Sequence, residues 1–408
     1  MADNKDKKVL NVPALRFPEF SGEWKKLRLS DFATKITKKN KGNIVKNVLC
    51  NSANLGLVPQ VNYFDREIAN TENTDGYYVI CNGDFVYNPR KSTAAPFGPV
   101  NIYEGEEAGI ISPLYLCFSV HNIFPKFLYY RFKSSAWHSY VYSHGDSGVR
   151  FDRVSIKDDV FFDMPVYKPA QDEQIKIATI LQLIDERIAT QNKIIEKYES
   201  LIQAICDTLI SKEEQQVMLS FSDFGQSYSG LSGKSAEDFG EGYPFITYMN
   251  VYQNQIIDST DVGLVKINET EQQSVVRNGD ILLTLSSETP EEVGMGAVYL
   301  GETYPLYLNS FCFGIHITDE AKIYPPFLAY YVSSQSFRKA VYPLAQGSTR
   351  FNLQKSDFMK KKFSFPVIEK QRKIYSILKA YSDKLIIEKL IMRLLCKQKC
   401  YLLRQLFI

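Results

Sequence analysis

The chain has 408 residues, 45% of them hydrophobic and 23% charged, which sets an expectation of two or three ordinary globular domains. No run of about twenty apolar residues could span a bilayer, and a net charge of +2 does not by itself mark a nucleic-acid binder. Seven scattered cysteines, an odd number, argue against a disulfide framework or a zinc ligand set and for a cytoplasmic chain.

In chain order, Met1 to Lys5 leads into no apolar stretch, so no secretory signal is expected. Lys25, Lys26, Arg28, Lys35, Lys38, Lys39, Lys41 and Lys46 then form a basic block broken only by Asp31, the local charge that phosphate contact requires. Tyr77–Ile80 and Leu114–Phe118 are rich in β-formers between turn residues and predict strands, as does Ile281–Leu285. Pro125 to Ser139 and Pro325 to Leu344 each open on proline and predict helices.

The chain is written twice. Gly148-Val149-Arg150-Phe151 matches Ser348-Thr349-Arg350-Phe351, and Phe124-Pro125 to Tyr130 matches Tyr324-Pro325 to Tyr330, both 200 positions apart. Asn82-Gly83-Asp84 returns as Asn278-Gly279-Asp280 after 196, and Ile180-Leu181 as Ile377-Leu378 after 197. So long a period excludes a solenoid and implies a duplicated domain.

Each copy is followed by a heptad seam. The first runs Ile177, Leu181, Ile184, Ile188, Gln191, Ile195, Tyr198, Ile202, Ile205, Leu209. The second, 197 positions on, runs Ile374, Leu378, Tyr381, Leu385, Glu388, Met392, Leu395 and beyond. Both break on a polar residue at the same place, Gln191 and Glu388, as a register-setting position would. A seam of about nine turns, roughly 50 Å, predicts a partner helix, and the two copies suit each other. A pseudo-twofold relation then requires them to run antiparallel, so the expected fold is α+β: two similar mixed domains on an antiparallel coiled coil.

Catalytic motifs are poorly matched. A phosphate-binding loop would need glycine where Tyr228 stands in Tyr228-Ser229-Gly230-Leu231-Ser232-Gly233-Lys234-Ser235, and no clear buried strand is expected before it. Tyr324-Pro325-Pro326-Phe327 offers tyrosine where an adenine methyltransferase needs an acid or amide. Glu23-Trp24-Lys25 lacks the upstream acid of a magnesium nuclease, and the four histidines, His121, His138, His144 and His316, show no paired spacing. No catalytic or metal-binding residue is expected.

With these features in place, the sequence resembles the specificity subunits of type I restriction–modification systems. The resemblance spans nearly the whole chain and rests on several segments. They are Pro18-Glu19-Phe20-Ser21-Gly22-Glu23-Trp24-Lys25-Lys26, the two Asn-Gly-Asp turns, Gln171 to Ala178 with Leu183-Ile184-Asp185, the Tyr228–Ser235 loop and Tyr248-Met249-Asn250-Val251-Tyr252. It implies target-recognition domains over 1–167 and 214–366 and spacer helices over 168–213 and 367–408.

It also implies a chain without catalysis that reads a bipartite site in double-stranded DNA. Two methyltransferase subunits would methylate adenine with S-adenosylmethionine, and restriction subunits would use ATP and magnesium. Ile177, Leu181, Ile184, Ile188, Gln191, Ile195, Ile374, Leu378, Leu385, Glu388 and Met392 would form the helical interface.

Polar and cationic residues of glycine-punctuated loops are the DNA-contact candidates, since arginine pairs with guanine, amides with adenine, and lysine with phosphate. They are Lys38, Lys39, Lys41, Asn88, Arg90, Lys91, Ser147 and Arg150 in the first domain. In the second they are Tyr228, Ser229, Lys234, Asn250, Ser286, Gln346, Ser348 and Arg350. The second domain lacks the Pro-x-Phe-x-Gly-x-Trp opening of the first, leaving its first strand unplaced. The competing expectation is a coiled-coil scaffold whose duplicated domains bind proteins.

Overall fold

A computed structural model describes residues 10–62, 74–145, 152–258 and 261–408. The chain divides into two compact units, Met1–Gln191 with Ile391–Ile408, and Asn192–Leu390. Each is a mixed α/β unit, and the two long helices, Gln171–Ser211 and Ile368–Gln405, each contribute one part to either unit. Both helices are shorter than the spans expected at 168–213 and 367–408.

In the first unit a four-stranded antiparallel sheet takes the order Ala33–Lys35, Leu116–Val120, Phe85–Tyr87, Val100–Ile102. In the second, a five-stranded sheet takes the order Gly225–Ser229, Cys312–Ile317, Ile281–Thr284, Gly296–Tyr299, Ile256–Ile257. Both sheets bury aromatic rings that direct which face turns inward. Phe85 stacks on Phe118 at 5.3 Å, and Phe313 meets Phe358 edge-on at 5.8 Å. Quadrupole geometry adds to the area buried by such pairs.

The duplication is reproduced bond by bond within each unit. A strand leads into a short helical turn in both: Lys25–Arg28 pairs with Pro165–Lys168, and Gln216–Ser220 with Lys362–Pro366. The second pairing supplies the strand that the sequence left unplaced. Asp31 accepts the backbone N–H of Arg28 at 2.8 Å, and Asp223 that of Ser220 at 2.7 Å. Leu29-Ser30-Asp31-Phe32 and Phe221-Ser222-Asp223-Phe224 are thus one motif, 192 positions apart.

The Asn-Gly-Asp segments are turns of the same build. Gly83 and Gly279 hold φ of 89° and 86°, in the left-handed region that side chains disfavour. Asp84 accepts from the N–H of Cys81 at 2.6 Å and Asp280 from that of Arg277 at 2.8 Å.

The expected helices opening on Pro125 and Pro325 each break in two, Pro125–Lys133 then His138–His144, and Pro325–Tyr331 then Gln335–Val341. The break falls at equivalent serines. The hydroxyls of Ser134 and Ser334 donate to the carbonyls of Arg131 and Tyr331, at 2.7 and 2.6 Å. A serine bonded to nearby backbone competes with helix continuation.

The long helices run antiparallel within each unit. In the first, Asp185 meets Lys399 at 2.5 Å, while near the other end Arg16 meets Glu173 and the N–H of Leu15 donates to the carbonyl of Gln405. In the second, Glu199 meets Lys389 at 2.7 Å and Glu213 meets Lys370 at 3.1 Å.

Of the seam residues, Ile177, Leu181, Ile184, Gln191, Ile374, Leu378 and Glu388 are buried, and Ile188, Ile195, Leu385 and Met392 partly so. Toward the end of the first helix the buried row shifts from the expected Ile202, Ile205, Leu209 to Ile202, Cys206, Ile210. Packing against the Pro325–Tyr331 helix accounts for the shift, since the Cys206 thiol reaches the Tyr330 carbonyl at 3.4 Å.

Candidate nucleic-acid interface

In the second unit, the sheet edge beyond Thr284 continues as Ser286–Ser287, which pairs with Phe351–Leu353, and that strand pairs with Ala345–Gln346. The connecting turn holds Gly347 at φ 134°, where a Cβ would lie 2.0 Å from the Arg350 carbonyl oxygen. Only glycine fits there, and the turn presents Ser348 and Arg350 to solvent.

Beside it lies a cleft of about 430 Å³ lined by Tyr248, Met249, Tyr252, Ser286, Glu288, Phe311 and Arg350. Its walls are held by internal bonds. The Tyr248 hydroxyl donates to the Ser286 carbonyl at 2.8 Å, and the Tyr252 hydroxyl to Glu292 at 2.6 Å. The Glu292 carboxylate therefore raises the Tyr252 pKa.

Arg338, absent from the sequence-based candidates, fixes the adjoining turn. Its guanidinium donates to the carbonyls of Glu291, Val293 and Gly294 at 2.5, 2.7 and 2.8 Å. Nothing in its local sequence distinguishes it from a surface arginine.

The equivalent place in the first unit has the same pairing in shorter form. Arg90 bridges Arg153, the N–H of Lys91 donates to the Asp152 carbonyl, and that of Val154 to the Pro89 carbonyl. The adjacent cleft, about 460 Å³, is lined by Lys35, Tyr78, Tyr115, Arg153 and Asp158 among others. Arg153 was also missed, and its Nε is buried without a hydrogen-bond partner among the described residues. Its signal lay in the local spacing, two residues beyond the Arg150-Phe151 anchor.

The expected contacts divide on this geometry. Lys38, Lys41, Arg90 and Lys91 are exposed, and Lys39 donates to the Gly76 carbonyl at 2.8 Å with its ammonium 3.7 Å from the Tyr78 ring centre. Gln346, Ser348 and Arg350 are exposed around the second cleft, with Ser286 in its wall. Ser147 and Arg150 lie outside the described residues.

Five candidates are instead engaged in holding the fold. Tyr228 is buried, donates to Asp280 at 2.8 Å and stacks on His316 at 4.2 Å; burial, then the nearby carboxylate, pushes its phenol pKa up. The Lys234 side chain is 4% exposed and meets Glu271 at 2.5 Å. Asn250 closes the helix start at Thr247, accepting from the Thr247 N–H at 2.8 Å and donating to the Asp261 carbonyl at 2.7 Å.

Ser229 is exposed but accepts from Lys355 at 3.0 Å. Asn88 accepts from the Arg90 N–H at 3.0 Å and donates to the Asn51 carbonyl at 3.4 Å. The basic block also disperses: Arg28 pairs with Asp163, Lys35 with Asp158, and Lys26 sits over the Tyr167 ring. A strand runs over Gly225–Ser229 into the Tyr228–Ser235 loop, but of its residues only Tyr228 is buried, and the three-residue turn Ala236–Asp238 follows in place of the helix a phosphate loop needs.

Among the described residues no group of histidine, cysteine and carboxylate side chains could hold a metal, and no helix is long and apolar enough to cross a membrane.

Known proteins place this architecture. A family model described as the type I restriction modification DNA specificity domain matches residues 218–394. No curated protein matches the chain. A chain from a study of complex assembly and conformational transition in a type I R-M system shares 14% identity, with a TM-score of 0.60 over 93% of this chain and 96% of its own. The type I restriction–modification S subunit from M. genitalium shares 17% identity, with a TM-score of 0.53 over 97% and 99%. A type I restriction modification DNA specificity domain therefore matches residues 218–394, and along nearly the full chain the fold is the one these two structures share.

Proposed function

We propose that the chain reads a bipartite site in double-stranded DNA, each unit recognising one half, and that it performs no chemistry itself. The observation that carries this reading is the repeated bonding frame, with a cleft beside the matching strand pairing in each unit. Loops on a rigid frame vary in side chain without disturbing the core, which suits a module that changes its target.

Methylation of adenine with S-adenosylmethionine falls to two methyltransferase subunits, and cleavage with ATP and magnesium to restriction subunits where these join. The long helices are the docking surface for the methyltransferases. The second helix keeps Ile386, Ile387, Leu390, Leu394 and Tyr401 between 49% and 65% exposed, an apolar run that favours a protein partner over water.

The test is co-expression with a neighbouring methyltransferase and mapping of methylated adenines on genomic DNA. One bipartite motif is expected. Exchange of residues 218–365 for those of a related subunit is expected to change one half of it. A change in both halves, or methylation without a bipartite motif, overturns the reading.

A further inference from the structure

The cleft of the second unit carries charge of both signs. Glu288 and Arg350 both line it and both are exposed. Neither forms a hydrogen bond or ion pair among the described residues, whereas Glu292 is engaged by Tyr252. With Glu288, Glu292 and Arg350 as its charged lining, the cleft repels phosphate, because two carboxylates face one guanidinium. A phosphate-tracking groove requires the opposite balance.

An unpaired acid on a DNA-reading surface has a different use. Base edges in the major groove offer a cytosine amino group to a carboxylate, and the guanine O6 and N7 to a guanidinium. Phe311 and Met249, 55% and 48% exposed, supply the apolar shoulders that exclude water around such contacts.

We infer that this cleft reads one guanine–cytosine pair, with Arg350 on the guanine and Glu288 on the cytosine amino group. The inference rests on the DNA-reading role proposed above. Strand pairing makes Arg90 the counterpart of Ser286, since Arg90 bridges Arg153 as Ser286 pairs with Asn352. The counterpart of Glu288 is then Ser92, outside the first cleft, whose charged lining is Lys35, Arg153 and Asp158. The two half-sites therefore differ in sequence.

Enrichment of a random duplex pool by the purified full-length chain tests this, comparing wild type with Glu288→Gln and Arg350→Ala. Both residues are exposed, so both variants keep the buried core, and their circular dichroism is expected to match wild type. The expected result is a G·C preference, at one position of the half-site read by residues 218–365, reduced roughly 5- to 150-fold in both variants. All other positions stay unchanged. Glutamine at 288 is expected to favour adenine at the same position, because an amide pairs with adenine N6 and N7. An enriched motif whose base preferences neither variant alters overturns the cleft assignment and leaves the DNA-reading role intact. Uniform weakening on every sequence also overturns it. Failure of the wild-type chain to enrich any duplex overturns the role itself.

Discussion

Gln371 accepts the backbone N–H of Tyr324 at 2.8 Å, tying the start of a recognition-unit helix to the start of a long helix. Its amide nitrogen donates to the Pro366 carbonyl at 2.8 Å, and the residue is fully buried. Gln174 repeats both bonds, from the Phe124 N–H and to the Pro169 carbonyl, each at 2.8 Å. These glutamines bind the sheet, the Pro-opened helix and the long helix of their unit into one frame.

Gln371→Leu and Gln174→Leu each leave a buried N–H and a buried carbonyl without partners. A loss of about 2–6 kcal/mol is expected for each, at 1–3 kcal/mol per unsatisfied group. Urea unfolding checks it. A loss below about 0.5 kcal/mol in either variant would show that water replaces the amide there.

Lys133 gives the first unit an alkaline dependence. Its ammonium donates to the Asn101 side-chain oxygen at 2.6 Å and lies 5.1 Å from the Tyr129 ring centre. Burial first, then the charge of Lys399, lowers its pKa to about 8, opposed by Asp185. The folded state thus holds this proton less tightly than the unfolded chain, whose lysine keeps the ordinary value of 10.5.

Stability is expected to rise as pH increases from about 8 to 10.5, by roughly 1–3 kcal/mol. Below this window both states are protonated and the penalty is constant. Tyr129, with its pKa raised to about 12 by burial, stays neutral throughout. Lys133→Met is expected to flatten the rise in an unfolding series across this range; an unchanged slope would assign the effect to another group.

Lys234 and Lys41 provide a test of which cations hold the fold and which meet phosphate. Lys234 is enclosed beside Glu271, whereas Lys41 is exposed. Lys41→Ala is expected to reduce the slope of log K against log salt by about 1, the contribution of one phosphate contact. Lys234→Ala is expected to leave that slope unaltered and to lower the midpoint of thermal unfolding. The reverse pattern would exchange their roles.

Much of the fold was legible in the linear order of residues. The heptad seams, the Asn-Gly-Asp turns and the repeated Pro-opened helices record local periodicity and turn chemistry, which depend on neighbours within a few positions. The Ser-Asp-Phe turns at Ser30 and Ser222 carried an equally local signal and would have placed the missing strand at Gln216.

Side-chain availability was not legible. Tyr228, Lys234 and Asn250 have the residue types of DNA contacts, but each finds its partner in a segment the sequence does not place beside it: Asp280, Glu271 and Asp261. Burial and pairing are set by segments brought together from 11 to 52 positions away. Only that packing decided which polar groups are consumed by the frame and which, like Glu288 and Arg350, are left to face a ligand.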